Sequence, residues 1–425
     1  MAAKGDREDG AVGRLRRQYE AYPYPARDPR DEAKRLIIGS PSHLAELDHF
    51  VFAGRRPPAR PFRALVAGGG TGDATVMLAQ QVADAGGPAE IVHIDLSEAS
   101  LAIAEARVKA RRLDNVTFRR LSLLDLPGSG LGRFDYIDCC GVLHHLDDPG
   151  AGLAALVAVL DERGGLGLML YGALGRTGVY PAQAMLRALA DDAEAEPAAR
   201  VGAARRLLAQ LPPTNWLRRN PFVADHLKGD DAGLYDLLLH SRDRAYTVPE
   251  VTALAAAAGL RITAFVEPAL YDPAAYLTDP RILDRLARLP WLERCAFAEN
   301  LAGTLRKHIF YAVKADHPGP CVADVADETL VPVWREAADA AFGRSIRPGG
   351  ALTANRDGVA FRFPLPPLAG AILSRIDGRR PIAAIREDLT AANPGLSHDA
   401  FAGQFGQTFS ALNGIGKLFL RHPPG

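Results

Sequence analysis

The chain is predicted to be an α/β protein: a doubly wound, mainly parallel sheet, interrupted by helical insertions and followed by a small C-terminal domain. Two observations carry that prediction. From Phe62 onward, short apolar runs alternate with amphipathic helical segments, the rhythm of a parallel sheet covered by helices on both faces. The first apolar run ends in a glycine-rich turn, Gly68 to Asp73, that opens a helix. Sheets of this kind bind ligands at such turns.

The elements follow in order. Arg63–Ala67 reads as the first strand and Thr71–Ala85 as a helix with Val76, Leu78, Ala79 and Val82 on its apolar face. Glu90–Asp95 is the second strand, Ala99–Arg111 the next helix, Val116–Arg119 the third strand and Phe134–Cys139 the fourth. Asp148 suits the cap of a helix with Pro149 in its first turn, running to about Leu160. Gly165–Tyr171 is a further strand. The rhythm breaks over about 172–245, a mostly helical stretch. It resumes with the helix Pro249–Ala258 and the strand Leu260–Val266, breaks again over 267–306, and closes with the strand Lys307–Lys314. Insertions between late strands often build a lid over the carboxyl ends of the sheet. The expected organisation is therefore a lead-in over 1–60, one α/β domain over 61–316 with these two insertions, and a small domain over 325–425. Within the lead-in, 1–12 reads as a loose tail and Gly54–Pro61 as a Pro-rich linker.

Composition narrows the function. The 425 residues hold 50 Lys+Arg and 50 Asp+Glu, and 48% are hydrophobic. A disordered chain is excluded, and the missing basic excess argues against nucleic-acid or membrane-surface partners. Cys139, Cys140, Cys295 and Cys321 lack the spacing of a disulfide scaffold or zinc site. The N-terminus has no signal-like apolar run, so a cytoplasmic setting is expected. The most apolar stretch, Gly152–Tyr171, is broken by Asp161, Glu162 and Arg163 and is not read as a membrane helix.

The chemistry starts at the glycine turn. Gly68, Gly70 and Gly72 let a ligand approach the backbone where a Cβ would block it. The dinucleotide pattern calls for Gly or Ala where this chain has Asp73. A carboxylate at a helix N-terminus competes with a pyrophosphate for that positive end. S-adenosylmethionine (SAM), a nucleoside without phosphate, tolerates it. Asp95 ends the second strand, 23 positions after Gly72, where an acid can accept from both ribose hydroxyls. Asp125 ends the next strand unit and can accept from an adenine amine, although Asp before Leu-Pro also suits an ordinary turn. The segment Cys139 to Leu146 (CCGVLHHL) follows the fourth strand, at the carboxyl edge.

In this order the motifs GGGTGD, HID, LLD and GVLHHL, then TVPEV, RITAF and KHIFYAV, resemble a class I SAM-dependent methyltransferase over about 62–315. The resemblance implies a Rossmann-like seven-stranded sheet whose last strand, Lys307–Lys314, runs antiparallel. It implies SAM as cofactor, with Gly68, Gly70 and Gly72 along its methionine part, Asp95 on the ribose and Asp125 at the adenine end. Leu96, Leu124 and Gly141 are expected to join that wall. The family often has an acid two positions before the first glycine. Here that position is Val66, so contacts to the amino-acid part must come partly from elsewhere.

Other groups complete the expectation. Tyr19, Tyr22 and Tyr24 lie in a Pro-stiffened segment, QYEAYPYP, that can fold over the cofactor, Tyr22 being the one assigned to it. A tyrosine face suits a sulfonium. The bland alternative is an aromatic clamp. His145, His240 and Asp243 are candidate general bases, needed if the acceptor carries a proton. No compact carboxylate/His cluster stands out in the sequence, so no metal is expected. The C-terminal residues are similar, over a short stretch, to winged-helix and peptide-binding domains, but an αα turn explains them equally. The expected activity is methyl transfer to an N, O or C nucleophile of a small molecule. The alternatives are a peptide acceptor recruited through the C-terminal domain and a SAM-binding protein without catalysis. The reading is compatible with a homodimer.

Overall fold

A computed structural model describes residue 13, residues 19–20 and residues 22–55, 61–189, 196–227, 231–346 and 349–423. The tail at 1–12 and linker positions 56–60 lie outside the described residues. The central sheet runs in the order β3-β2-β1-β4-β5-β8-β7, where β1 is Phe62–Ala67, β2 Ala89–Asp95, β3 Val116–Arg120, β4 Phe134–Cys140, β5 Leu160–Gly172, β7 Leu260–Phe265 and β8 Lys307–Lys314. A two-residue strand, β6 (Ala245–Tyr246), pairs parallel with the end of β5. Strands β1 to β5 are parallel, and β8 is antiparallel to both β5 and β7. The expected Rossmann-like sheet with one reversed late strand is what forms. Strand β5 is longer than expected because Leu160 to Arg163 extend it at the end where it pairs with Phe134.

Helices cover both faces. On one side lie α1 (Leu44–Phe50) and α2 (Asp73–Asp84), whose Leu47, Phe50, Leu78 and Val82 pack on Ala64, Val66, Tyr136 and Tyr311. Helix α3 (Glu98–Ala110) starts at Ser97, whose side chain accepts from the Ser100 amide. On the other face, α4 (Pro149–Ala158) is capped by Asp148 as expected. The helix Val248–Ala257 starts in a reciprocal Thr247–Glu250 capping box. Leu153, Leu156, Val248 and Val251 of these two helices join Leu166, Leu168 and Phe310 in the larger core.

The chain leaves the sheet between β5 and β6. There α5 (Val179–Ala188), α6 (Pro197–Leu208) and a π-helical turn, Tyr235–Leu239, share a core of their own. The C-terminal residues also have a core of their own, yet they are not detached. Strands β9 (Val331–Trp334) and β10 (Leu418–Arg421) pair antiparallel, and Val331, Val333 and Phe419 pack in the same cluster as Phe50 and Val51 of the α1 region. No helix among the described residues is long and apolar enough to cross a membrane.

Candidate active site

A cavity of about 420 Å³ opens at the carboxyl ends of β1, β2 and β4. Its wall contains Gly68, Gly70, Asp95, Leu96, Leu124, Gly141 and His145 from the candidates named above. The glycines there are required by contact. A Cβ on Gly68 would stand 2.6 Å from the Val142 side chain, and one on Gly70 would stand 2.7 Å from the Tyr24 carbonyl oxygen. Both residues have positive φ, which other residues adopt only under strain. Gly72 does something different from what was expected. It does not line the cavity; it starts α2 so close to α3 that a Cβ would meet Ala104 at 2.9 Å.

Asp95 is fixed by the backbone. The Gly70 amide donates to one carboxylate oxygen at 2.8 Å and the Ser97 amide to the other at 2.9 Å. Each oxygen keeps a lone pair for a further donor, as a pair of ribose hydroxyls requires. Burial raises its pKa against the pull of those amides. Asp125 is corrected: it lies exposed in the short 3-10 helix Leu123–Gly128, outside the cavity wall, because that helix buries Leu123 and Leu126 and gives Leu123 and the exposed Leu124 to the wall instead. Tyr22 is corrected too. Its ring stacks on Tyr235 at 5.4 Å, outside the wall, while Tyr19 and Tyr24 line it.

The N-terminal segment is sewn to the glycine turn. Thr71 donates to the Pro25 carbonyl at 2.7 Å. Arg27 grips both oxygens of Asp73 at 2.8 and 2.6 Å. Buried Arg107 donates to Asp73 and Glu32, both at 2.7 Å. Burial alone would raise the Asp73 pKa, but these guanidinium groups hold it below the ordinary carboxylate value. The residue that departs from the dinucleotide pattern is thus a tether for the covering segment.

Opposite the glycine turn, the Nδ1 of His145 bonds the Arg242 carbonyl at 2.8 Å. A carbonyl only accepts, so Nδ1 carries the proton and Nε2 presents a lone pair. His144 packs instead, its ring 3.9 Å from that of Tyr171 and both its nitrogens unbonded. His240 has the reverse arrangement. Its Nδ1 accepts from the Arg242 amide at 3.1 Å, so Nε2 carries the proton, 3.4 Å from the Tyr19 hydroxyl. This spends the His240 lone pair and corrects its role as a base. Asp243 is corrected as well. It is the buried counterion of Arg176 at 2.6 Å and accepts from Gln183 at 2.9 Å. A carboxylate so occupied is a poor base.

Two residues that sequence reasoning missed complete the wall. Asp236, on the π-helical turn, accepts from Tyr171 at 3.0 Å and from Tyr19 at 3.5 Å. Asp138, on β4, accepts from Ser42 at 2.6 Å. Each is a single acid inside an apolar run, GLYDLLL and YIDCC, and that isolation is the signal that could have found them. Contrary to the sequence expectation, His145, Asp236 and His240 form a compact group whose donor atoms lie within 4.8 Å of one another. A metal fits this group poorly, because the Nε2 of His240 is protonated and must lose its Arg242 bond before it can ligate.

A doubly wound sheet with a glycine cradle and an acid ending its second strand defines a nucleoside-binding enzyme of Rossmann-like form. Comparison with known proteins makes the class narrower. The methyltransferase-domain family profile matches residues 65–166. An uncharacterised protein of Synechococcus sp. is 30% identical over 329 residues, 75% of each chain. The ubiquinone biosynthesis O-methyltransferase of Methylococcus capsulatus is 35% identical over 129 residues, 30% of this chain and 48% of that protein. Among solved structures, PKMT2 from Rickettsia typhi in complex with AdoHcy superposes with a TM-score of 0.61 at 14% identity, over 90% of this chain and 76% of that one. The chain belongs to the class I SAM-dependent methyltransferases. It is an enzyme of that family, and SAM is its cofactor. The cavity fits SAM: glycine cradle, a doubly anchored Asp95, and an apolar wall of Leu96, Leu121, Leu123 and Val142.

Proposed function

We propose that the enzyme methylates a protic oxygen or nitrogen of a small-molecule acceptor, with His145 taking the proton. When bound, SAM supplies a sulfonium-activated methyl group. The protein's task is then to align the acceptor and remove its proton. One observation carries the reading: the His145 ring is locked by its Nδ1–H bond to Arg242, which leaves Nε2 as its acceptor nitrogen, and His145 lines the cavity together with Tyr19, Tyr171 and Asp236. The wall is closed from two sides, by the N-terminal segment that bears Tyr19 and by the insertion that bears Asp236. That enclosure supports an acceptor of small size beside the cofactor.

The test is incubation of purified enzyme with methyl-labelled SAM and a fractionated cell extract. Label in the low-mass fraction, lost in a His145→Gln enzyme, is expected. Label that stays on precipitated polypeptide, or transfer that ignores the substitution, refutes the proposal.

A further inference from the structure

SAM carries an α-ammonium on its methionine part, and a cation entering an apolar cavity needs a partner there. Four carboxylates line this cavity: Asp73, Asp95, Asp138 and Asp236. Asp73 is taken by Arg27 and Arg107. Asp95 is oriented by the Gly70 and Ser97 amides at the end of β2. Asp236 sits across the cavity on the insertion, between two tyrosine hydroxyls.

Asp138 is different. It is 2% exposed, and among the described residues no Arg, Lys or His pairs with it. Its partners are the Ser42 hydroxyl and the Cys140 amide. In the sheet its Cα is paired with Val66, two residues before the glycine cradle. The same wall carries the uncharged Val66, Met77, Pro41 and Met169. Burial pushes its pKa up to about 6, the behaviour of a carboxylate short of a counterion.

We infer that Asp138 holds the α-ammonium of SAM, taking from β4 the role that the apolar Val66 cannot play from β1. Ser42 aims the carboxylate from the neighbouring wall segment, and the new ion pair forms away from water. The inference needs SAM as cofactor but does not rest on the acceptor or on His145.

The experiment is calorimetric titration at pH 8 with two ligands, SAM and 5′-methylthioadenosine. The second keeps the nucleoside and its sulfur but lacks the amino-acid part. Asp138→Asn is expected to weaken SAM by about 10- to 100-fold, the range for a hydrogen bond to a charged group, and to leave 5′-methylthioadenosine unchanged. The same titration of Asp236→Asn tests another acid of the wall that, among the described residues, no Arg or Lys pairs with. Unchanged SAM affinity in Asp138→Asn, equal weakening of both ligands, or a SAM-selective loss in Asp236→Asn instead overturns the inference. If Asp138→Asn fails to fold, the wild-type enzyme decides. It should bind S-adenosylhomocysteine at least about tenfold more tightly than the analogue without the α-amino group, and equal binding refutes the assignment.

Discussion

His145 and His240 stack with ring centroids 3.7 Å apart and grip opposite backbone atoms of one residue, Arg242. His145 donates to its carbonyl and His240 accepts from its amide. Two chemically identical side chains are thereby fixed as opposite tautomers, and only His145 keeps a free lone pair. The expected kinetics differ accordingly. His145→Gln should lower kcat by about 10²- to 10⁴-fold, the usual worth of a general base, with SAM affinity unchanged. His240→Gln should cost much less. Equal losses in both variants would contradict the assignment.

Asp95→Ala should weaken SAM by about 1–3 kcal/mol through lost hydrogen bonds. The backbone around Gly70 and Ser97 would lose its acceptor as well, so circular dichroism should accompany the titration. A folded variant with wild-type affinity removes Asp95 from the ribose.

Asp73→Asn should loosen the covering segment without unfolding the sheet. Arg27 would lose its anionic partner, and Arg107 would keep Glu32 and the Thr71 carbonyl. A partly buried ion network weakened in this way costs about 1–3 kcal/mol. Limited proteolysis should show faster cleavage near Arg27 and Arg30. An unchanged cleavage pattern would mean that the segment is held elsewhere.

His49 predicts a pH dependence. It is buried among Phe50, Phe409 and Phe419, where the C-terminal unit meets α1, and burial drives its pKa down to about 3. The unfolded chain takes up a proton below about 6.5 that the folded one refuses. The stability tied to a neutral His49 is therefore present above pH 6.5 and lost as pH falls towards 3. Relative to a His49→Gln variant, the wild type should lose about 1.4 kcal/mol per pH unit below 6.5. Parallel stability curves for the two proteins would show that His49 titrates freely.

The sheet, the glycine turn and Asp95 were legible because they depend on local pattern: apolar runs of strand length, and an acid at a strand end. The misread residues depend on direction. Asp125 and Tyr22 sit beside the cavity in sequence, but a 3-10 helix and a tyrosine stack turn them away. His240 and Asp243 were attractive as a dense polar stretch, yet that density reflects bonds already made, to Arg242 and to Arg176. Asp138 and Asp236 were hidden for the opposite reason. One gains its position from strand register and the other from a π-helical turn, so the only trace either leaves in the linear chain is an acid among apolar neighbours.

A crystal structure of the enzyme with S-adenosylhomocysteine is the most direct check on how the cavity is used. The predicted result has ribose hydroxyls on Asp95, the ammonium on Asp138 and the sulfur turned towards the Nε2 of His145. A ligand lying with its sulfur away from His145, or its ammonium far from Asp138, would contradict the account.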